Sequence, residues 1–189
     1  MFDLLLLVLG LVAVVIILVM IAVWNALVTL NNNAKKGWAD IDVLLQKRHD
    51  ALTKLIDTVS AYMKYEKGVM TQITQLRSQW ESIPQGDVQS KINTANQVSA
   101  ALKNLLAVAE NYPDLKADNS FVQLQQTITD LESQIADRRE YYNQAATDLN
   151  IKIHQFPYNM FAGMMHFKPL PLYQAPEAET SDIKMNFNV

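Results

Sequence analysis

Residues 4–24 read LLLLVLGLVAVVIILVMIAVW, from Leu4 to Trp24, with no polar side chain before the closing tryptophan. A bilayer core of about 30 Å takes about 20 apolar residues to cross as a helix, and this run holds 21. In lipid every backbone amide must find its partner inside the segment, so a lone span of this kind must be helical. Trp24 closes it where an amphipathic ring suits the headgroup level. A cleaved signal peptide fits less well. The apolar stretch is too long, no lysine or arginine precedes it, and no small-x-small site follows.

Basic residues around the span set its expected direction. Only the α-amino group and Asp3 precede it, whereas Lys35, Lys36, Lys47 and Arg48 follow. The positive-inside rule then reads the chain as a single-pass protein with its C-terminal domain in the cytoplasm and a few residues outside. The absence of cysteine is compatible with either side.

Beyond the anchor the pattern is that of an all-α protein. No proline occurs before Pro84, and the six prolines at 84, 113, 157, 169, 171 and 176 divide the rest into helices and end-pieces. The first helix is predicted to run unbroken to Ile83. Its seam is Leu27, Leu30, Ala34, Trp38, Ile41, Leu45, Leu52, Leu55, Val59, Tyr62, Val69, Ile73, Leu76, Trp80 and Ile83. From Ile41 onward the steps alternate four and three, the heptad of antiparallel bundles and coiled coils. Gly37 and Gly68 are tolerated weak points in it, each costing about 1 kcal/mol relative to alanine. Arg48 and Glu66 interrupt the seam; their stems are expected to pack while their charged heads reach water.

A second helix is expected over about 87–110, capped by Asp87. Its seam is Val88, Ile92, Ala95, Ser99, Leu102, Leu106 and Ala109. Pro113 disfavours a helical Tyr112, so this helix should stop at Glu110-Asn111-Tyr112-Pro113. A third helix is expected over about 120–156, capped by Ser120 and ended by Pro157. Phe121, Leu124, Ile128, Leu131, Ile135, Arg138, Tyr142, Ala145, Leu149 and Phe156 form its seam. A short fourth helix over 158–165 would bring Met160, Phe161, Met164 and Met165 to the bundle. The chain thus reads as an anchor at 1–24, a helical bundle at 25–173 and a tail at 174–189. In the tail, residues 174–182 are polar and acidic and expected to be mobile, and Ile183, Met185, Phe187 and Val189 alternate with polar residues, so the end either docks as an added strand or is simply disordered.

Several motifs match a known family. Trp38-Ala39-Asp40-Ile41-Asp42-Val43 followed by Lys47-Arg48-His49-Asp50 resembles the first-helix signature of the LemA family of bacterial membrane proteins. Glu110-Asn111-Tyr112-Pro113-Asp114-Leu115-Lys116-Ala117 resembles its central motif. Phe121-Val122-Gln123-Leu124-Gln125, Glu132, Ile135, Arg138, Tyr142-Asn143 and Phe156-Pro157 resemble its third-helix motif. Two positions depart: Tyr65-Glu66 stands where the family often has His-Glu, and His166-Phe167 where Gly-Phe is usual. The resemblance implies a four-helix bundle behind one anchor and no established enzyme activity.

The residues themselves carry no catalytic constellation. His49, His154 and His166 lack metal-ligand spacing, and there is no cysteine. His49-Asp50 has no nucleophile motif beside it and reads as a polar helix face. Asp40, Asp42, Asp50 and Asp57 read as a solvated flank. No phosphate loop or nucleophile elbow is present, so no cofactor is expected. The formal charge of −3 and the lack of a basic stripe argue against nucleic acid.

Helix lengths carry one further expectation. At 1.5 Å per residue the first helix would span about 90 Å from Trp24, against about 36 and 55 Å for the next two. The later helices would then leave the membrane-proximal seam uncovered. Leu27, Leu30, Trp38, Ile41, Leu45, Leu52 and Leu55 are therefore expected to form a self-association surface, since contiguous exposed apolar area marks an interaction site; the alternative is a bend near Gly37 or Gly68, or a tail that folds back over the seam. The partners expected are membrane lipid at Trp24 and the span, further copies of the chain, and an unidentified protein. The function expected is a self-assembling scaffold, with a monomeric adaptor or signalling module as the alternative.

Overall fold

In the computed structural model residues 1–63 and 66–174 are described. The expected strand at Ile183–Val189 lies outside them. Six helices and no strand occur among the described residues: α1 (Phe2–Ser60), α2 (Lys67–Ser82), α3 (Val88–Ala109), α4 (Pro113–Lys116), α5 (Asn119–Lys152) and α6 (Tyr158–Met164). By compactness the chain divides into two units. The first holds Met1–Asp40 and Arg138–Leu172. The second holds Ile41–Asp137 with Tyr173 and Gln174.

In the first unit, the N-terminal part of α1 is long and apolar enough to cross a membrane, and the window that qualifies has no buried residue. Burial starts where the span ends. Val23 and Leu27 pack with Leu149, Ile153 and Ala162, ringed by Leu30, Tyr158, Phe161, Met165, Phe167 and Leu170. Farther along, Gly37 lets α1 and α5 approach closely. A Cβ there would stand 3.1 Å from the Tyr141 ring and 3.2 Å from the Tyr142 backbone. Trp38 and Tyr142 meet at 5.6 Å between ring centroids with planes at 60°, a tilted arrangement aromatic pairs favour.

The corner after α5 departs from expectation. The helix stops at Lys152, and Phe156, expected on the seam, is 79% exposed. Residues 169–172 then run back along α5. Asn150 clamps them, donating to the Leu170 carbonyl at 2.9 Å and accepting the Leu170 N–H at 2.8 Å. The Tyr142 hydroxyl donates to the Pro171 carbonyl at 2.7 Å. α6 ends in a Schellman motif: His166 N–H bonds the Gly163 carbonyl and Phe167 N–H the Ala162 carbonyl. That geometry puts His166 at φ 57°, a left-handed conformation. Glycine adopts it without a Cβ penalty, which explains physically why the LemA-like pattern prefers glycine here.

In the second unit the expected continuous first helix is broken. α1 ends at Ser60, and α2 begins at Lys67 and returns along it, packing on α3. At the break, Tyr62 N–H and Met63 N–H both bond the Val59 carbonyl, tightening the last turn. Met63, not Tyr62, takes the buried place after Val59. An unbroken rod would leave the apolar face of residues 67–82 in water. The turn instead buries Ile73, Leu76 and Trp80, worth about 1.5–3 kcal/mol for each side chain fully covered.

The same return accounts for the seam. Ile41, Leu45, Leu52 and Leu55 are 0–2% exposed within the second unit, and Leu27 is 0% exposed in the first. Leu30 is half-buried on its cluster and Trp38 leans on Tyr142. The uncovered surface expected at these seven residues is therefore absent, because the chain covers it with its own helices.

Capping follows local chemistry. Asp87 caps α3 as expected, accepting Ser90 N–H at 3.0 Å. α3 ends at Ala109, and Pro113 starts α4, where its missing N–H costs nothing. At α5 the cap is Asp118 rather than Ser120: its Oδ1 accepts Ser120 N–H at 2.7 Å and Phe121 N–H at 3.2 Å.

Candidate functional site

The polar residues of the second unit sort into three groups. At the centre α1 carries Arg48 on its buried face between Leu45 and Leu52, and the residue is 2% exposed. Its head does not reach water. Nη1 donates to Glu132 Oε1 at 2.7 Å and to Ser99 Oγ at 2.8 Å, and Nη2 donates to the Ala95 carbonyl at 3.1 Å. Ser99 also reaches Glu132 Oε2 at 3.1 Å. One guanidinium thus ties α1 to α3 and α5. A buried ion pair rarely adds net stability over an apolar replacement, but breaking it strands a charge.

A second group lines a cleft of about 350 Å³ bounded by Asp42, Gln46, His49, Trp80, Glu81, Gln85 and Lys91. Lys91 Nζ bonds Asp42 Oδ1 at 2.5 Å and stands 5.4 Å from the Trp80 ring centroid, within cation–π range. Asp42, expected on a solvated flank, is thus part of an inter-helix pair. His49 is 13% exposed at its side chain. Its Nε2 stands 3.5 Å from Glu81 Oε1 and its Nδ1 3.6 Å from Asp50 Oδ1, with no hydrogen bond made. No serine, threonine or cysteine is among the residues that line this cleft. Among the described residues no group of three or more histidine, aspartate or glutamate side chains could hold a metal ion.

The third group closes one end of the unit. Tyr62 OH donates to Asp118 Oδ2 at 2.9 Å, and Tyr112 OH donates to Glu66 Oε1 at 3.2 Å. Glu110 and Lys116 form an ion pair across the turn into α4. The Tyr62 bond and the two helix N–H groups hold the Asp118 carboxyl below its usual range, and the carboxylate in return pushes the Tyr62 phenol up. Partial burial, then the bond to Glu66, raises Tyr112. Beside them lies a cavity of about 70 Å³ lined by Leu106, Ala109, Glu110, Lys116, Phe121 and Gln125, room for a few waters.

In the first unit Trp24 is 53% exposed at the end of the span. Burial pushes the Tyr142 phenol up to about 12. Arg138, expected on the seam, is exposed and stands 3.9 Å from Asp40. The residues that sequence reasoning missed are Glu132 as the partner of Arg48, Lys91 as a buried cation, and Asp118 as a cap. Only Asp118 had a local signal, an aspartate just ahead of Ser120.

These are structural chemistries: ion pairs, caps and clamps that join helices. The model of the LemA family matches residues 37–187. Protein LemA of Metamycoplasma hominis is 29% identical over 159 residues, covering 84% of this chain and 72% of that protein. Magnetosome protein MamQ 2 of Paramagnetospirillum magneticum is 23% identical over 184 residues, covering 85% and 68%. Magnetosome protein MamQ of Magnetospirillum gryphiswaldense is 22% identical over 182 residues, covering 83% and 67%.

Proposed function

The chain belongs to the LemA family, and from that premise we propose that this membrane-associated helical protein is a non-catalytic scaffold, anchored by residues 4–24, whose bundle surface holds other proteins at the membrane. One observation carries the reading: the buried charges are consumed internally. Arg48 is bonded to Glu132, Ser99 and Ala95, and Lys91 to Asp42. Groups locked this way position helices and are not poised for proton transfer or nucleophilic attack. The names of the relatives, LemA and magnetosome protein, are not enzyme names, which is in keeping with this reading.

Self-assembly belongs to the proposal with a changed contact. Leu27, Ile41, Leu45, Leu52 and Leu55 are covered within the chain, so copies would meet through the outer faces of the helices. Anchoring favours this, because tethering to one membrane raises effective concentration and lets weak contacts count. The bundle faces the cytoplasm of a bacterial inner membrane in this reading, supported by Lys35, Lys36 and Lys47 after the span and no basic side chain before it.

The native mass of the detergent-extracted full chain tests the scaffold. A uniform multimer is expected; a monomer at all concentrations would favour the adaptor alternative. Single cysteines at 2 and 188, probed with an impermeant thiol reagent in intact cells, test direction. Labelling confined to position 188 would reverse it.

A further inference from the structure

The corner between α5 and α6 leaves three large apolar side chains in water. Phe156 is 79% exposed, Met160 61% and Met164 74%. Met160 and Met164 are four residues apart and share one face of α6. The rest of the corner faces inward: Ile153 and Ala162 are buried against Val23 and Leu27, with Tyr158 and Phe161 packed beside them. The exposed trio is thus the outer side of a folded corner rather than a loose end.

The corner's height over the bilayer follows from its contacts. Residues 4–24 rise about 30 Å as a helix, the thickness of the hydrocarbon core. The boundary of that core therefore falls near Trp24. Val23 and Leu27, which hold the corner, bracket the boundary within about one helical turn of 5.4 Å. The headgroup region extends about 5–7 Å beyond the core on each side, so the corner stands inside it. Lysines accompany the trio. Lys152 lies over the Tyr158 ring at 4.2 Å, and Lys168, Lys35 and Lys36 are exposed in the same unit. Apolar side chains flanked by lysines are what an interfacial membrane contact requires.

We propose that Phe156, Met160 and Met164 form a second membrane contact, inserting from the α5–α6 corner into the headgroup layer beside Trp24. It rests on the reading of residues 4–24 as a membrane span. The contact gives the anchor a second foot. A single helix can rotate and tilt freely in lipid, whereas a span with a wedge at its rim holds the first unit at a set angle. The lysines add a preference for anionic lipid.

The chain has no cysteine, so single reporters are simple to place. Full-length variants Met160→Cys, Met164→Cys, Val12→Cys and Glu140→Cys would be labelled with an environment-sensitive fluorophore. Each would be reconstituted into phosphatidylcholine–phosphatidylglycerol vesicles, with helicity checked by circular dichroism. Labels at 160 and 164 are expected to shift to the blue and to be quenched at least twofold by shallow-brominated lipid. The label at 12 should be quenched by deep-brominated lipid, and the label at 140 by neither. Quenching at 12 without quenching at 160 and 164 would overturn the wedge and leave the anchor standing. No quenching at 12 would overturn the anchor itself. A blue shift at 160 without lipid quenching would mean that protein covers the corner, which also overturns the proposal.

Discussion

Arg48 and Glu132 stand 84 residues apart in the chain and 2.7 Å apart in the fold. The arginine side chain is 3% exposed and the glutamate 35%, so the two ends of the pair differ in what their loss would do. Glu132→Leu strands the guanidinium with only Ser99 and the Ala95 carbonyl. It should lower stability by about 2–3 kcal/mol, the range for losing a charged hydrogen bond that is partly open to water. Arg48→Met leaves a carboxylate that can turn to solvent and should cost less. Adding Arg48→Met to Glu132→Leu should recover part of the loss. Urea unfolding of the full chain in mild detergent reads all three variants, and strictly additive losses would count against the pairing.

Two helical glycines should respond with opposite signs. A side chain at Gly37 meets the Tyr141 ring and the Tyr142 backbone, whereas nothing lies within 4 Å of the Cβ position at Gly68. Gly37→Leu should therefore force α1 from α5 and cost about 1–3 kcal/mol, as overpacking does. Gly68→Ala should stabilise by up to about 1 kcal/mol through helix propensity alone. Thermal unfolding followed at 222 nm separates them, and stabilisation by Gly37→Leu would refute the close approach.

Much of this fold is legible residue by residue. The apolar run at 4–24, the α5 seam from Phe121 to Leu149 apart from Arg138, the Asp87 cap and the stop before Pro113 all rest on local chemistry that a chain carries in its order. The break between the end of α1 at Ser60 and the start of α2 at Lys67 does not. Val59, Tyr62, Glu66 and Val69 continue the heptad rhythm straight through it, with no proline to interrupt them. What decides the break is tertiary: Ile73, Leu76 and Trp80 need a surface, and α1 and α3 supply it once the chain doubles back. Periodicity reports which face is apolar and is silent on what covers it. The expectation of an uncovered seam failed for that reason, being a deduction from an unbroken rod. The partner of Arg48 was hidden the same way, since a pairing across 84 residues leaves no local trace.

His166 occupies the C′ position of α6 with φ 57° and closes the Schellman motif through Gly163 and Ala162. A left-handed conformation costs an L-residue about 1–2 kcal/mol, with histidine among the more tolerant types. The imidazole is exposed, so its removal sacrifices little packing. His166→Gly should then raise stability by about 1 kcal/mol, and His166→Val should lower it, because a β-branched residue is poorly accommodated there. The pair of melting temperatures is the check; a fall with glycine would mean that the histidine side chain contributes something the backbone geometry does not reveal.

The bond from Tyr62 to Asp118 ties the end of α1 to the start of α5 and makes that junction sensitive to pH from both sides. Asp118 has a depressed carboxyl, chiefly through the Tyr62 hydroxyl and then the two α5 amides. Its contribution is therefore present above the ordinary aspartate value near 3.8 and is lost as pH falls through the lowered folded value. Tyr62 has a raised phenol, chiefly through the same bond and the carboxylate charge. Its contribution is present below the ordinary value of 10.0 and is lost as pH rises through the higher folded one. Tyr62→Phe removes the donor while keeping the ring. The variant should be less stable than the parent at pH 7, and the gap should narrow both below pH 3 and at strongly alkaline pH. Urea midpoints for the two proteins at pH 2, 7 and 12 provide the comparison. No gap at any of the three would mean the hydroxyl contributes nothing to the junction, and a gap of constant size would mean that its contribution does not come from the bond to the Asp118 carboxylate.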